Sequence, residues 1–130
     1  MDLSEADRKH LRQAMNLALM SECNPRTRHG CVIVKSGNPV AVGINSIRNN
    51  PRQFSFKFED KRAISVHAEE ACLRALNHRA DGCTAYIARA NSSGDPAMSR
   101  PCQRCMLALK RAGVNKICYT TCSKPKIERI

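Results

Sequence analysis

The sequence predicts an α/β fold in which helices cover a mixed β-sheet of about five strands. Apolar residues at helical spacing alternate with short β-branched runs, in the order helix, two strands, helix, strand, helix, strand. Strands that alternate with helices predict a mixed sheet with helical cover. The chain has 130 residues, so we expect a single domain spanning residues 1–130.

The N-terminal part of the chain predicts a helix followed by a β-hairpin. Ser4 and Asp7 have capping-box spacing ahead of apolar residues at helical intervals, so the first helix is expected over residues 5–21. Cys31–Lys35 and Val40–Ile44 are apolar runs on either side of a Ser-Gly-Asn-Pro turn. They predict two antiparallel strands.

Residues 46–64 predict a polar, irregular connection that carries every phenylalanine of the chain. The aromatic and basic residues of this connection are Phe54, Phe56, Phe58, Arg48, Arg52, Lys57, Lys61 and Arg62. Basic side chains interleaved with aromatic ones are typical of a single-stranded nucleic-acid surface, where phosphates pair with cations and bases stack on rings. The period-two spacing of the phenylalanines also fits one face of a short strand packed on the core or on another subunit. Both interpretations stay open.

Two further helices are expected over residues 66–77 and from Pro101 to Ala112. Proline suits the first turn of a helix, and Gly113 occupies the usual C-terminal position for glycine. Thr84–Ala88 and Lys116–Thr121 predict strands. Only four residues separate the last of these from a further apolar stretch near Ile127, which is too short for a parallel crossover. A final strand there is therefore expected to pair antiparallel with the fourth.

Charge and composition narrow the class of protein. The formal net charge is +11 and the pI is about 9.7, which indicates a polyanionic partner or a phosphorylated substrate. The acidic start lacks the apolar run of a signal peptide, and no stretch approaches membrane-spanning length. We therefore expect a soluble cytoplasmic protein with no membrane partner. Its eight cysteines are then expected to be reduced, several of them as small core residues.

A pair of cysteines and a distant histidine predict a metal site. Cys102 and Cys105 lie at the start of a predicted helix and project from one face, where the helix dipole and unpaired N–H groups favour thiolates. His67 lies at the start of the preceding helix, and helix starts after successive strands converge at one edge of a sheet. Three ligands with an open fourth position are typical of catalytic zinc. Glu69 is close enough to His67 in sequence to handle protons beside the same ion.

Two alternatives to a catalytic site stay open. A closed structural zinc site would use Cys31, Cys83 or another cysteine as its fourth ligand. In the second alternative, Cys102 and Cys105 are core residues, and the ring nitrogens of His67 are hydrogen-bonded to other groups of the protein. The closed site would leave Glu69 unexplained, and no second Cys-x-x-Cys completes the usual structural spacing.

The His-Ala-Glu of residues 67–69 and the Pro-Cys-Gln-Arg-Cys of residues 101–105 resemble the signature of the zinc-dependent cytidine and deoxycytidylate deaminase superfamily. This superfamily includes deoxycytidylate, tRNA adenosine and DNA-editing deaminases, and the similarity runs from about Gly30 to Thr121. The resemblance implies a three-layer α/β/α cytidine-deaminase-like fold. It also implies one catalytic Zn²⁺ held by His67, Cys102 and Cys105.

The resemblance further implies roles for individual residues. Zinc would activate water for attack on the carbon that bears the amino group, while Glu69 moves protons to the ring nitrogen and to the departing ammonia. The N–H of Ala68 would orient the base. Asn45 matches an asparagine that contacts the sugar, although an asparagine that merely ends a strand is the alternative. Further candidate substrate contacts are Arg28, Phe54, Phe56 and Arg100.

Features in which this sequence differs from known family members give conflicting indications of its substrate. The ligands of a second, structural zinc of some deoxycytidylate deaminases are not evident, and we expect no counterpart of the C-terminal helices of many nucleic-acid editing members. An antiparallel last strand fits the free-cytidine branch, whereas histidine as first ligand fits the other branches.

Three functions follow. The first is deamination of cytosine to uracil in DNA or another polynucleotide, favoured narrowly by the charge and by the residue 46–64 segment. The second is deamination of free cytidine, deoxycytidine or dCMP. The third is a non-catalytic zinc module that binds nucleic acid. It is disfavoured because Glu69 would have no function in it. The choice of cytosine over adenine, the strandedness of any polymer and homo-oligomerisation stay open.

Overall fold

The computed structural model describes residues 3–23, 27–48 and 64–130. The helices of these residues are α1 (Glu5–Leu19), α2 (Ala68–Ala75) and α3 (Gln103–Ala112). The strands are β1 (Arg28–Lys35), β2 (Asn38–Ile44), β3 (Ser46–Arg48), β4 (Ile64–Val66), β5 (Thr84–Ala90), β6 (Pro96–Ala97), β7 (Lys116–Tyr119) and β8 (Lys126–Arg129). No helix within the described ranges is both long and apolar enough to cross a membrane.

The main sheet has the strand order β2-β1-β5-β7-β8, and the two-residue β6 adds to β5. β5 and β7 are parallel, whereas the β1–β2, β1–β5 and β7–β8 pairs are antiparallel. The predicted mixed sheet is therefore confirmed. The expected antiparallel pairing of the last strand is confirmed too, with Cys118 opposite Ile127.

Side-chain alternation along β1 divides the core between the two faces of the sheet. Val32 and Val34 pack with Leu11 and other residues of α1 on one face. Residues 31 and 33 pack on the other face with side chains of α2 and α3, including Leu109. The result is the predicted three-layer α/β/α arrangement.

The first helix begins as predicted and ends earlier. Ser4 accepts a hydrogen bond from the Asp7 N–H, and the Asp7 carboxylate accepts one from the Ser4 N–H, which completes a capping box. The helix ends at Leu19 rather than at residue 21. Ser21 lies beyond the end, and its hydroxyl donates hydrogen bonds to Asn45 at the end of β2.

The interpretation of residues 46–64 as wholly irregular is wrong at both ends. β3 and β4 pair with each other in a separate two-stranded sheet. Strands of three residues are too short to show an alternating pattern, so they were not evident in the sequence. Because Val66 belongs to β4, α2 begins at Ala68 rather than at residue 66. Phe54, Phe56 and the rest of residues 49–63 lie outside the described residues.

Other boundaries shift by a few residues. β1 starts at Arg28 rather than at residue 31, and β2 starts at Asn38 because the hairpin turn is confined to Ser36 and Gly37. Both turn residues have positive φ, 52° and 81°, as tight hairpin turns require. Pro101 was expected in the first turn of α3, but Cys102 is the N-cap and has extended backbone, so the proline lies before the helix.

Candidate metal centre and active site

The candidate metal ligands lie at the starts of α2 and α3. His67 is the N-cap of α2 and Cys102 is the N-cap of α3, both with extended backbone. Neither side chain makes a capping hydrogen bond to its own helix. Cys105 follows in the first turn of α3, on the side that faces α2. The predicted meeting of the two helix starts is therefore seen in the structure.

The ligand atoms of these three residues are close enough together to share one ion. The Nδ1 atom of His67 and the Sγ atoms of Cys102 and Cys105 all lie within 4.8 Å of one another. Nδ1 is 3.3 Å from Sγ of Cys105 and 4.0 Å from Sγ of Cys102. Tetrahedral zinc with ordinary bond lengths would hold nitrogen and sulfur about 3.6 Å apart. The observed distances bracket that value, so the three residues fit a zinc ion.

The ligand set has one buried and one open side. Cys105 is buried and Cys102 is exposed, with His67 between these extremes. This is the only cluster of three or more potential ligands within residues 3–23, 27–48 and 64–130. A fourth position directed to solvent suits a catalytic rather than a structural zinc.

Glu69 lies in the first turn of α2 beside the ligands and is only 4% exposed. Burial raises the pKa of the Cys105 thiol, and the negative charges of Glu69 and Cys102 raise it further. A cation at the site opposes this effect, so metal binding is expected to release protons.

Contacts between elements hold the two helix starts in place. Arg104 of α3 pairs with Glu70 of α2, which also lies 3.9 Å from Arg74. Beneath α2, Gly43 of β2 lies so close to the helix that a β-carbon on it would be 2.6 Å from the Ala68 carbonyl oxygen. The start of α2 is therefore packed directly on the sheet.

The proposed fourth-ligand cysteines of a closed site lie elsewhere. Cys31 is fully buried in the core, and hydrogen bonding with Cys72 together with burial raises the pKa of its thiol. Cys83 is 2% exposed, and burial raises its pKa as well. Neither belongs to the ligand cluster. Both are small core residues, as the sequence predicts for several of the eight cysteines.

Several residues that were predicted to contact the substrate form hydrogen bonds within the protein. Asn45 is buried; its Oδ1 accepts hydrogen bonds from Ser21 and from the N–H of His29, and its Nδ2 donates to the Thr27 carbonyl. Asn45 directly follows β2, and its role in contacting the sugar stays a prediction. Ala68 is the first residue of α2, so its N–H has no acceptor within the helix.

The two arginines proposed for substrate binding also have protein partners. Arg28 donates to the Asn91 carbonyl oxygen at 2.8 Å. Arg100 binds both carboxylate oxygens of Glu128, at 2.7 and 3.1 Å. Tyr119 donates to the same carboxylate. Roles of Arg28 and Arg100 in substrate binding stay predictions.

His29 is a half-buried histidine of β1 that the sequence did not single out. Burial lowers the pKa of its imidazole, and the charges of Glu69 and His67 act on it as well. Successive residues of a strand point to opposite faces of the sheet, so His29 and the next residue, Gly30, lie on opposite faces. The sequence does not show which face Gly30 occupies. In the structure, Gly30 faces α1.

A three-layer α/β/α fold with a His-Cys-Cys cluster at two helix starts and a buried glutamate beside it defines a zinc-dependent hydrolytic deaminase. A family model described as the cytidine and deoxycytidylate deaminase zinc-binding region matches residues 4–121. The chain belongs to this family. It is accordingly a zinc-dependent hydrolase that acts on C–N bonds.

Solved structures share the fold at low identity. The chain is similar to the dCMP deaminase of the cyanophage S-TIM5 in complex with dCMP and dUMP, with 22% identity, a TM-score of 0.66 and coverage of 92% of this chain and 83% of that one. It is similar to a guanine deaminase of Bacillus subtilis, with 22% identity, a TM-score of 0.55 and coverage of 92% and 65%. A variant cytidine deaminase of Mycobacterium tuberculosis shows 18% identity, a TM-score of 0.53 and coverage of 96% and 91%. A comparison with curated protein sequences gave no significant match.

Proposed function

We propose that this protein deaminates cytosine to uracil in a free nucleotide of the dCMP class. The observation that carries the proposal is the open cluster of His67, Cys102 and Cys105 with the buried Glu69 beside it. In this proposal the three ligands hold one zinc ion and Glu69 is the catalytic acid and base.

The chain's own residues supply the proton transfers. When bound, zinc supplies Lewis acidity that lowers the pKa of a water molecule from about 15.7 to about 7. Glu69 accepts the proton of that water and delivers it to the ring nitrogen. The water oxygen bonds to the carbon that bears the amino group. Glu69 then carries the second proton of the former water to the amino group, and the C–N bond breaks as ammonia departs. The N–H of Ala68, which has no acceptor within α2, donates a hydrogen bond to the carbonyl oxygen of the base in this proposal.

The distribution of charge in the described residues weakens the argument for a polynucleotide substrate. Arg8, Lys9 and Arg12 are exposed on α1, which covers the face of the sheet opposite to α2 and α3. Nearer the metal ligands, Arg100 and Arg104 are paired with glutamates. Part of the +11 charge therefore lies away from the site. The dCMP and dUMP complex of the similar cyanophage enzyme supports a free nucleotide.

A cytosine in a polynucleotide is the second candidate. It rests on the aromatic and basic segment of residues 46–64, of which only the ends, β3 and β4, are described. β4 leads directly into His67. Both ends of this segment therefore join the chain beside the metal ligands, where a polymer could be bound.

Substrate competition separates these candidates. The zinc-loaded protein is incubated with dCMP, deoxycytidine, cytidine and a cytosine-containing oligodeoxynucleotide, and uracil products are measured. We expect dCMP to have the highest kcat/KM. Activity confined to the oligonucleotide would overturn the proposal. In that case binding should weaken with salt, with a log–log slope of about −0.7 per phosphate contacted.

A further inference from the structure

The direction of the His29 side chain follows from its neighbours in β1. A β-carbon on Gly30 would lie 2.6 Å from the backbone nitrogen of Ala18, so Gly30 faces α1. Cys31 faces the opposite side, where it shares the core with Ala68 and Cys72 of α2. Side chains alternate along a strand, so His29 lies on the same face as Cys31. The imidazole therefore points toward the layer that contains the metal ligands.

The position of His29 along the strand brings it to the start of α2. Cys31 pairs with Gly43, the residue that packs against the Ala68 carbonyl. His29 lies two residues farther along, about 6.6 Å at the rise of a strand. Its ring is half-buried there, and the charges of both Glu69 and His67 act on it. Strand alternation and this position along β1 therefore place the ring on the side of the sheet where α2 begins, toward the proposed substrate site.

The hydrogen bonding of the ring fixes which nitrogen is available to a ligand. Nδ1 of His29 lies 2.8 Å from the Thr27 carbonyl oxygen. A carbonyl oxygen can only accept, so Nδ1 carries the hydrogen and Nε2 of the neutral ring presents a lone pair. Burial lowers the pKa of His29, partly opposed by the Thr27 bond and by Glu69. The Thr27 bond leaves Nε2 as the nitrogen that can accept a hydrogen bond from a ligand.

Asn45 holds this arrangement in place. Its Oδ1 accepts the backbone N–H of His29 at 2.8 Å, and its Nδ2 donates to the Thr27 carbonyl at 2.6 Å. Ser21 donates to the same Oδ1 at 2.8 Å. One buried amide therefore fixes both the backbone of His29 and the carbonyl that orients its ring. A side chain locked in this way is suited to recognition, because little ordering is needed when a ligand binds.

We propose that His29 is a specificity-determining residue whose Nε2 accepts a hydrogen bond from the bound nucleotide. The assignment rests on the proposed function. The donor is a neutral group, either a sugar hydroxyl or the exocyclic amine of the base. A phosphate oxygen has no hydrogen to donate, so the 5′-phosphate is not the group recognised here.

Two substitutions separate recognition from a structural role. In His29→Asn the amide nitrogen can keep the bond to Thr27, while nothing replaces Nε2. In His29→Gln the longer side chain places an amide near the position of Nε2. We expect kcat/KM for dCMP to fall about tenfold or more in His29→Asn and to recover in part in His29→Gln, the effect of losing one ligand hydrogen bond. Zinc content should equal that of the wild type in both.

The donor is identified with 2′,3′-dideoxycytidine monophosphate. If the 3′-hydroxyl is the donor, His29→Asn and wild-type proteins should deaminate this analogue equally well. If the exocyclic amine is the donor, the tenfold difference should persist. Equal kcat/KM of wild type and His29→Asn with dCMP would overturn the assignment, while the proposed function would stand. A wild-type protein inactive on every cytosine nucleotide would overturn the proposed function and the assignment with it.

A spectroscopic measurement covers the case in which His29→Asn fails to fold. Glu69→Gln protein labelled with ¹⁵N-histidine is titrated with dCMP, which it should bind without turnover. We expect the Nε2 resonance of His29 to shift on binding, while Nδ1 keeps its proton. An unchanged Nε2 resonance at saturating dCMP would overturn the assignment.

Discussion

A methyl group at Gly43 tests whether the seating of α2 on the sheet controls the metal centre. In Gly43→Ala the added carbon would lie 2.6 Å from the Ala68 carbonyl oxygen and 3.0 Å from the Ala71 β-carbon. An ordinary contact begins at 3.4 Å, so the helix start must retreat by about 0.8 Å. Because β2 and α2 are both packed elements, the displacement is carried to the ends of the helix.

That displacement is large for a metal site. His67 and Glu69 move with α2, whereas Cys102 and Cys105 belong to α3. Metal–ligand distances tolerate only about 0.2 Å, and a misplacement of about 1 Å can lower turnover about 100-fold. We expect Gly43→Ala to weaken zinc binding at least about tenfold and to lower kcat/KM by about 100-fold. Overpacking should also lower the free energy of unfolding by about 1–3 kcal/mol.

Zinc affinity is measured by competition with a chromogenic chelator, and stability by urea unfolding. Gly37→Ala is the matched control: it has φ of +81° and no atom within 4 Å of the added carbon. Its backbone strain should cost about 1–2 kcal/mol without moving α2, so zinc affinity should be unchanged. Wild-type zinc affinity and kcat/KM in Gly43→Ala would refute the argument that α2 is positioned by this contact.

Four further substitutions test the rest of the structure. Tyr86→Phe removes the 2.6 Å hydrogen bond to the buried Asp7 on the α1 face, so the free energy of unfolding should fall by about 1–3 kcal/mol while kcat stays unchanged. Hydrogen bonds from its arginine and tyrosine partners lower the pKa of Glu128 from 4.5 to about 2. Wild type should therefore be more stable than Glu128→Gln above pH 4.5, and the difference in unfolding midpoint should vanish as the pH falls through about 2. Cys83→Ser should keep one zinc per chain by metal analysis and Cys105→Ser should lose it; loss of zinc in the first variant would restore the closed-site alternative.

Elements with strong local signals were predictable from the sequence. The capping box at Ser4, the glycine at position 113 and the short link before β8 each have a local physical cause, and all three behave as expected. The metal ligands were predictable for a related reason. Cys102 and Cys105 are close in sequence, and the topology brings the start of α2 to the same place.

What could not be predicted depends on contacts distant in sequence. β3 and β4 are too short for a periodic pattern, and only their mutual pairing makes them strands. The hydrogen bonds of Asn45 to Ser21 and Thr27 could not be predicted, because these residues lie 24 and 18 positions away in sequence. The sheet face on which the His29 side chain lies could not be predicted either, because it follows from the packing of α1 against the next residue, Gly30.

The most direct test of the central claim is turnover of dCMP by wild-type and Glu69→Gln proteins at equal, measured zinc content. Glu69 is buried beside the ligands but is not one of them, so the variant should bind one zinc per chain like the wild type. Removal of the proton carrier should lower kcat by about 100- to 10,000-fold. Wild-type turnover in a zinc-loaded Glu69→Gln protein would contradict the account.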